Sequence, residues 1–207
     1  SDIHPFSQGI DLGDFTYTST GTAFIAYRNG TELTITNGTV NGNGAAGGTL
    51  RATYNATLIL GADLTVNAGP QATAIVIQDG KFFVNPNTEN VIVNGGIDCI
   101  KVQGDALEVS IASGTYTEDV QEWCADDYVS INNGNGTWTV QHGVYVAEVG
   151  GVKYTSLQKA INAAQNGDVI KLINNINLKD SDLISLDNYN TYFKVEGKTV
   201  TIDLNDF

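Results

Sequence analysis

Short apolar runs recur between residues 33 and 117, and each leads into a tight turn that contains glycine. The runs are rich in β-branched and aliphatic residues and are too short for helices, which is typical of buried strands. Five stretches carry the pattern: 33–40, 58–61, 75–84, 91–97 and 109–116. Their turn glycines are Gly38, Gly61, Gly80, Gly96 and Gly114. A β unit that recurs about every 19 residues predicts a solenoid, in which each coil buries its apolar face against the next.

The pattern extends upstream of these rungs. Residues 14–18 and 23–27 predict two strands, which a Ser-Thr-Gly turn at 19–21 separates. A glycine-rich stretch at 41–48 predicts a loop that leaves the first coil. We therefore expect the solenoid to run from about residue 10 to residue 117.

The pattern changes after residue 117. Residues 118–125 predict one or two helical turns. Two apolar runs at 128–131 and 137–140 flank an Asn/Gly cluster at 132–136, which predicts a β-hairpin. We expect this hairpin to close the set of rungs rather than add another one.

A second hairpin and a helix follow. Residues 144–149 and 152–154 flank a Gly-Gly turn, and Thr155 and Gln158 have the spacing of a capping box that starts a helix. The predicted apolar face of that helix consists of Leu157, Ala160, Ile161 and Ala164. Asn166 and Gly167 predict the left-handed turn that ends it.

Residues 202–207 read IDLNDF and nearly repeat residues 10–15, which read IDLGDF. The two copies differ at one of six positions and are 192 residues apart. New apolar runs at 169–173, 176–178, 183–186 and 199–204 lead up to the second copy. We therefore expect the chain to be a frame of a tandem array, with a period near 192 residues, that ends in a fresh series of rungs.

The charge of the chain narrows the range of partners. There are 10 Lys and Arg residues against 23 Asp and Glu residues, a net charge of −13. Nucleic acids and anionic membranes are bound by clustered Lys and Arg, so this balance argues against both. The sequence has no apolar run of about 18 residues, and we expect no insertion into a membrane.

The two cysteines leave their redox state open. Cys99 lies in a rung and Cys124 lies in the segment after the last rung, about one to two coils further on. One disulfide in an oxidising compartment and two buried thiols both fit this placement.

Three segments resemble known β-helical proteins. Residues 154–170, a helix followed by a strand, resemble the opening of right-handed parallel β-helices of the pectin-lyase-like type. Residues 198–205 are similar to the early rung that follows that opening, and residues 113–140 are similar to the closing segment of β-helical repeats in large bacterial surface proteins. The resemblance implies a cell-surface location, with adhesion or glycan contact as the function.

β-Helix folds also host polysaccharide lyases and glycoside hydrolases, whose chemistry needs clustered residues. Lyases place a basic residue near carboxylates that hold calcium, but Arg28 and Arg51 lie apart from any group of Asp residues. Asp126 and Asp127 are neighbours, whereas two catalytic carboxylates must face one bond from opposite sides. His142 follows the closing hairpin rather than a rung. We therefore expect no catalytic site.

Asp180, Asp182 and Asp187 lie in a segment that is also rich in Asn, and they form a weak candidate for a calcium site. Asp and Asn also fill tight turns by bonding to their own backbone, and this second interpretation is preferred. We expect no cofactor.

Trp123, Tyr128 and Trp138 cluster near the end of the first predicted module. Such rings stack on sugars in many proteins, but they also cover the open end of a solenoid. We keep the cluster as a candidate binding site, with the capping role preferred.

Together these features predict an all-β fold: a right-handed parallel β-helix with a short capping helix and a terminal β-hairpin. Residues 1–140 would hold the rungs and the closing hairpin, and residues 144–207 the helix-capped start of a second module. We expect a non-catalytic extracellular unit, acting as a rigid spacer or as an adhesion or glycan-contact module, with surface glycans, other surface molecules and neighbouring repeats as partners. The alternatives are a fragment of a polysaccharide-active enzyme and a self-associating structural subunit.

Overall fold

A computed structural model describes residues 6–44, 47–104, 107–176, 178, 183–186 and 189–205. The chain divides into two compact units, Ser1–His142 (unit 1) and Gly143–Phe207 (unit 2). The strands of unit 1 are β1 (Phe6–Asp11), β2 (Thr16–Thr18), β3 (Phe24–Tyr27), β4 (Thr31–Thr36), β5 (Gly38–Gly42), β6 (Leu50–Thr53), β7 (Thr57–Leu60), β8 (Leu64–Ala68), β9 (Thr73–Gln78), β10 (Lys81–Val84), β11 (Ile92–Asn94), β12 (Asp98–Gln103), β13 (Glu108–Ile111), β14 (Thr115–Tyr116), β15 (Tyr128–Asn132) and β16 (Trp138–His142).

Unit 1 is a parallel β-solenoid of about four turns, as the sequence predicts. Each coil places one strand in each of three sheets. The first sheet has the order β1-β4-β7-β10-β13, the second contains β2, β5, β8, β11 and β14, and the third contains β3, β6, β9 and β12. Every pairing between coils is parallel among these strands.

The predicted repeat length is wrong. Glu32 pairs with Thr57, Thr57 with Lys81, and Lys81 with Glu108, so one coil takes 24 to 27 residues rather than 19. The reason is that the predicted stretches are not whole coils. Residues 33–40 cover β4, a tight corner and the start of β5, whereas residues 58–61 cover little more than β7.

Alternation along each strand builds the core. In the first sheet Ile10, Ile35, Leu60, Val84 and Ile111 lie in register and face inward. All except Ile10 are almost fully buried. Burying one such side chain contributes about 1.5–3 kcal/mol, so stacked columns of this kind hold the coils together.

The corners between the first and second sheets depend on residues with left-handed backbone. Asp14, Asn37, Asp63 and Asn90 have φ values of 65°, 62°, 55° and 52°, and each lies just ahead of the second-sheet strand or segment of its coil. Asn and Asp adopt this conformation more readily than other residues with side chains. The corners also bond to one another, because Asn37 N donates to the carbonyl of Ala62 at 2.9 Å and Asn90 Nδ2 donates to Asp63 Oδ1 at 2.7 Å.

The closing hairpin predicted from the sequence is confirmed. β15 and β16 pair antiparallel, and β16 also pairs antiparallel with β14, the last strand of the second sheet. The helical turns predicted ahead of it are a single 3₁₀ turn, Gln121–Trp123. The parallel sheet therefore ends in an antiparallel hairpin rather than in an unpaired edge strand of the last coil.

Unit 2 contains β17 (Ala147–Val149), β18 (Val152–Tyr154), α1 (Leu157–Ala163), β19 (Val169–Leu172), β20 (Ile184–Leu186), β21 (Tyr189–Thr191) and β22 (Thr201–Asp203). Its main sheet has the order β18-β17-β19-β22, with β19 and β22 parallel and β17 antiparallel to β19. β20 was predicted as a rung, but it pairs antiparallel with β21 and forms a separate hairpin.

Helix α1 buries the predicted face, since Leu157, Ala160, Ile161 and Ala164 are all buried. Its start lies one residue later than predicted. Ser156 is the N-cap, and its hydroxyl accepts a hydrogen bond from Lys159 N at 3.1 Å. The helix also ends earlier than predicted, because Ala164 is already extended and Gly167, with a φ of 91°, lies in the following turn.

Candidate binding face

The outer side of the second sheet carries two columns of polar residues, which we call the polar face. It arises from the recurring triplet Thr-Val-Asn, in which Val40, Val66 and Val93 point into the core. The first column consists of Thr16, Thr39, Thr65, Ile92, Thr115 and Thr139. The second column consists of Thr18, Asn41, Asn67 and Asn94. Neither column contains a charged residue.

The asparagines of the second column form a hydrogen-bonded ladder. Asn94 Nδ2 donates to Asn67 Oδ1 at 2.7 Å, and Asn67 Nδ2 donates to Asn41 Oδ1 at 2.8 Å. Asn41 Nδ2 in turn donates to the Thr18 hydroxyl at 3.3 Å. Chains of partly buried hydrogen bonds strengthen one another, so the ladder fixes the spacing of the coils.

The threonines of the first column are more available. The Thr39 and Thr65 hydroxyls have no side-chain partner among the residues that the structure describes, and both side chains are half-buried. Neighbouring strands are about 4.8 Å apart and the two columns lie about 7 Å apart along the strand. The polar face therefore presents hydroxyl groups at regular intervals, each able to donate and accept a hydrogen bond.

A second exposed feature, which the sequence analysis missed, is an aromatic corner. The rings of Tyr27 and Tyr54 meet edge to face with centroids 5.1 Å apart, and the guanidinium carbon of Arg28 lies 5.2 Å from the centroid of the Tyr27 ring. Tyr27 is 46% exposed and Tyr54 61% exposed. These residues lie just where the third sheet turns into the first, one coil apart. The sequence gives little signal for the pair, since the spacing of coils has to be known first.

The predicted aromatic cluster lies in the closing segment of unit 1. Trp123 and Tyr128 pack against the core of unit 1, and the Tyr128 ring also contacts His142, with centroids 5.3 Å apart. Trp138 is half-buried and pairs with Tyr116, the last inward-facing residue of the second sheet. Their contacts are thus with the end of the solenoid, and sugar binding by the cluster stays a prediction.

Both cysteines are free thiols in the structure. The Cys99 sulfur donates to the carbonyl of Val93 at 3.3 Å and lies 3.1 Å from the Thr117 hydroxyl. Burial raises the pKa of the Cys99 thiol, although the bond to Thr117 partly opposes this. A thiol that stays protonated is a poor nucleophile, so Cys99 has no feature of a catalytic cysteine.

Glu118 covers the end of the third sheet. Its Oε1 atom accepts hydrogen bonds from Cys99 N at 2.6 Å and from Ile100 N at 2.9 Å. Both amides belong to β12, the last strand of that sheet. Burial raises the pKa of the Glu118 carboxyl, and the two bonds from the backbone lower it only in part.

The residues considered for catalysis are not gathered into one site. Asp126 and Asp127 lie in the turn ahead of β15, while His142 is the last residue of β16. Within the described ranges, no three His, Cys, Asp or Glu side chains are grouped so that they could hold a metal ion. The weak calcium candidates Asp180, Asp182 and Asp187 lie outside the described residues.

Unit 2 has a shallow cleft of about 320 Å³ beside α1. Its most prominent charge is Lys198, whose Nζ donates to the carbonyls of Ile161, Asn162 and Ala164 at 3.1, 3.0 and 2.6 Å. An ammonium group has three donors, so all of them bond to the end of the helix. The cleft is therefore a structural junction rather than a site with a free cation.

No protein-family model, curated protein or solved structure matches this chain. Among the described residues, none of the helices has the length and apolar character needed to cross a bilayer.

Proposed function

We propose that the chain is a non-catalytic unit of a bacterial surface protein, in which the solenoid serves as a rigid support and the polar face contacts glycans. The observation that carries the proposal is the regular array of threonine hydroxyls beside a rigid asparagine ladder. Glycans are rich in hydroxyl groups, and a preorganised array binds them with little loss of conformational freedom.

The lack of charge on the polar face supports a neutral ligand. The chain as a whole has a net charge of −13, so it repels polyanions. A column of neutral hydroxyl groups adds no further repulsion and suits neutral sugars. The aromatic corner of Tyr27 and Tyr54 supplies exposed rings of the kind that stack on sugar faces.

The relationship to pectin-lyase-like repeats and the extracellular location belong to the proposal. They are supported by the resemblance of the helix-capped opening and the closing segment, and by a parallel solenoid fold that agrees with both.

The test is a binding assay of the full chain against a panel of neutral and acidic glycans. For a glycan that binds, the double variant Thr39→Ala and Thr65→Ala should weaken affinity on the order of 10-fold, because each lost hydrogen bond contributes about 1 kcal/mol. Thr57→Ala is the matched control, since Thr57 lies on the outer side of the first sheet and should leave affinity unchanged.

Two results would overturn the proposal. One is binding that the double variant and the control affect equally. The other is the appearance of new reducing ends or unsaturated sugars when the chain is incubated with polysaccharides and calcium, which would indicate a polysaccharide-active enzyme.

A further inference from the structure

Strand β1 has one edge without a partner strand in the part of the chain that the structure describes. Its other edge pairs with β4. The inward-facing residues of this first coil are poorly covered, since Tyr17 is 44% exposed although its register partner Val40 is fully buried. An edge of this kind is a template for another strand.

β22 of unit 2 has the same local structure as β1. The sequence Ile-Asp-Leu occurs at 10–12 and at 202–204. In each copy the Asp side chain accepts a hydrogen bond at 2.9 Å from the amide two residues later, from Gly13 to Asp11 Oδ1 and from Asn205 to Asp203 Oδ1. Gly13 and Asn205 also share a left-handed backbone, with φ values of 58° and 49°. The two strands therefore end in the same turn.

The backbone hydrogen bonds show that the two copies use opposite edges. Leu12 N donates to Thr36 O, so Ile10 also faces β4, because alternate residues of a strand bond to the same side. Thr201 N donates to Asp168 O, so Asp203 faces β19 and Ile202 faces the free edge of β22. Under the sequence match, the edge that is free in β1 is the edge that is paired in β22.

We propose that the free edge of β1 is the docking site for strand β19 of a preceding copy of residues 143–200. In a tandem array with a period of 192 residues, β22 of one repeat would occupy the position of β1 in the next. The continuous sheet would have the order β18-β17-β19-β22, followed by β4, β7, β10 and β13 of the next repeat.

The side chains fit this arrangement. Ile202 pairs with the buried Ile170 and is still 38% exposed. In the position of Ile10 it would join the inward column of Ile35 and Leu60. Unit 2 would then close the start of a solenoid with the antiparallel strand β17, as β16 closes its end. This docking does not depend on whether the polar face binds glycans.

The test compares two fusions of the full chain. In the in-frame fusion, residues 1–207 continue directly into residues 16–207 of a second copy. In the control, two full chains are joined through a long flexible Gly/Ser linker, so the second copy keeps its own β1. Amide hydrogen exchange of Ile202 and Leu204 in the first copy is the readout.

We expect both amides to exchange at least about 100-fold more slowly in the in-frame fusion, because they gain partners on β4. Equal exchange in the two fusions would overturn the proposal.

A pair of variants tests the same contact through side chains. Ile202→Asn should lower the melting temperature of the in-frame fusion by more than that of the control fusion, since only the former buries the side chain fully. Thr201→Asn lies on the exposed face of the same strand and should have little effect in either. Equal loss from Ile202→Asn in both fusions would contradict the docking.

Discussion

Glu118 shows how one side chain can complete a sheet that has no further strand. The amides of Cys99 and Ile100 lie on the last strand of the third sheet, and a single carboxylate oxygen accepts from both. An unpaired buried amide costs about 1–3 kcal/mol, so the two bonds are worth keeping even though burial disfavours the charge.

The raised pKa of Glu118 makes stability depend on pH. Because the folded protein holds the proton more tightly than the unfolded chain, stability should fall as pH rises from about 4.3, the unfolded pKa, through the raised folded pKa. Glu118→Gln keeps an oxygen acceptor and removes the charge, so this part of the pH dependence should vanish. Urea unfolding between pH 4 and pH 8 measures it.

Glu122→Gln is the control for that measurement, since Glu122 is exposed and close by. It should retain the pH dependence of the parent chain. An unchanged profile in Glu118→Gln would show that this carboxylate is not the source of the dependence.

At the scale of elements, the asparagine ladder and the threonine column lie on the same strands but differ in their bonds. Asn67 donates to Asn41 and accepts from Asn94, whereas Thr65 on the same strand has no side-chain partner among the described residues. The two residues are thus a natural pair for measuring what the ladder contributes.

We expect Asn67→Ala to lower the free energy of unfolding by about 1–3 kcal/mol, because it removes two side-chain hydrogen bonds and leaves their partners unpaired. Thr65→Ala should change it by less than about 0.5 kcal/mol. Chemical denaturation of both variants decides the point, and equal effects would mean that the ladder adds no stability.

Helix α1 depends on a lysine distant in sequence. Lys198→Met removes the charge and three donors at the helix C-terminus, so we expect unit 2 to lose about 1–2 kcal/mol of stability. Lys171→Met on the exposed side of β19 is the matched control. The helical signal in circular dichroism during thermal unfolding reports the loss, and an equal effect of both variants would contradict it.

Elements with strong local signals were predictable, and their partners were not. The apolar face of α1 and the Asn/Gly turn of the β15–β16 hairpin appear directly in the sequence. The N-cap was misplaced by one residue because Thr155 and Ser156 both carry a hydroxyl. β20 was taken for a rung because an apolar run does not reveal which strand it will pair with.

At the scale of the whole molecule, the chain has two separate hydrophobic cores. Ile77 is fully buried in the core of unit 1, and Ile161 is almost fully buried in that of unit 2. Each unit therefore has the means to unfold as its own cooperative transition.

Truncating either side chain should lower the stability of its own unit. Ile77→Ala and Ile161→Ala should each cost about 2–5 kcal/mol through lost burial and a cavity. Calorimetry should show two transitions, of which each variant lowers one. A single transition that both variants shift equally would contradict this division.

The candidate site was predictable only in its chemistry. A surface rich in Asn and Thr follows from the sequence, but its place on the second sheet depends on three strands per coil, a count that the predicted period of 19 residues had wrong. The contact of Tyr27 with Tyr54 was missed for the same reason, since two residues in neighbouring coils become neighbours only at the true coil length.

The fixed alignment of the columns also limits how such a protein can change in length during evolution. Inserting one or two residues within a strand would turn core positions outward and break the asparagine ladder in that coil. Inserting a complete coil would instead add one more member to every column and leave both ends as they are, because each coil contacts only its neighbours. Duplications and deletions in this part of the gene should therefore be tolerated mainly in whole coils, so that reach can vary between related proteins while the surface presented by each coil stays the same.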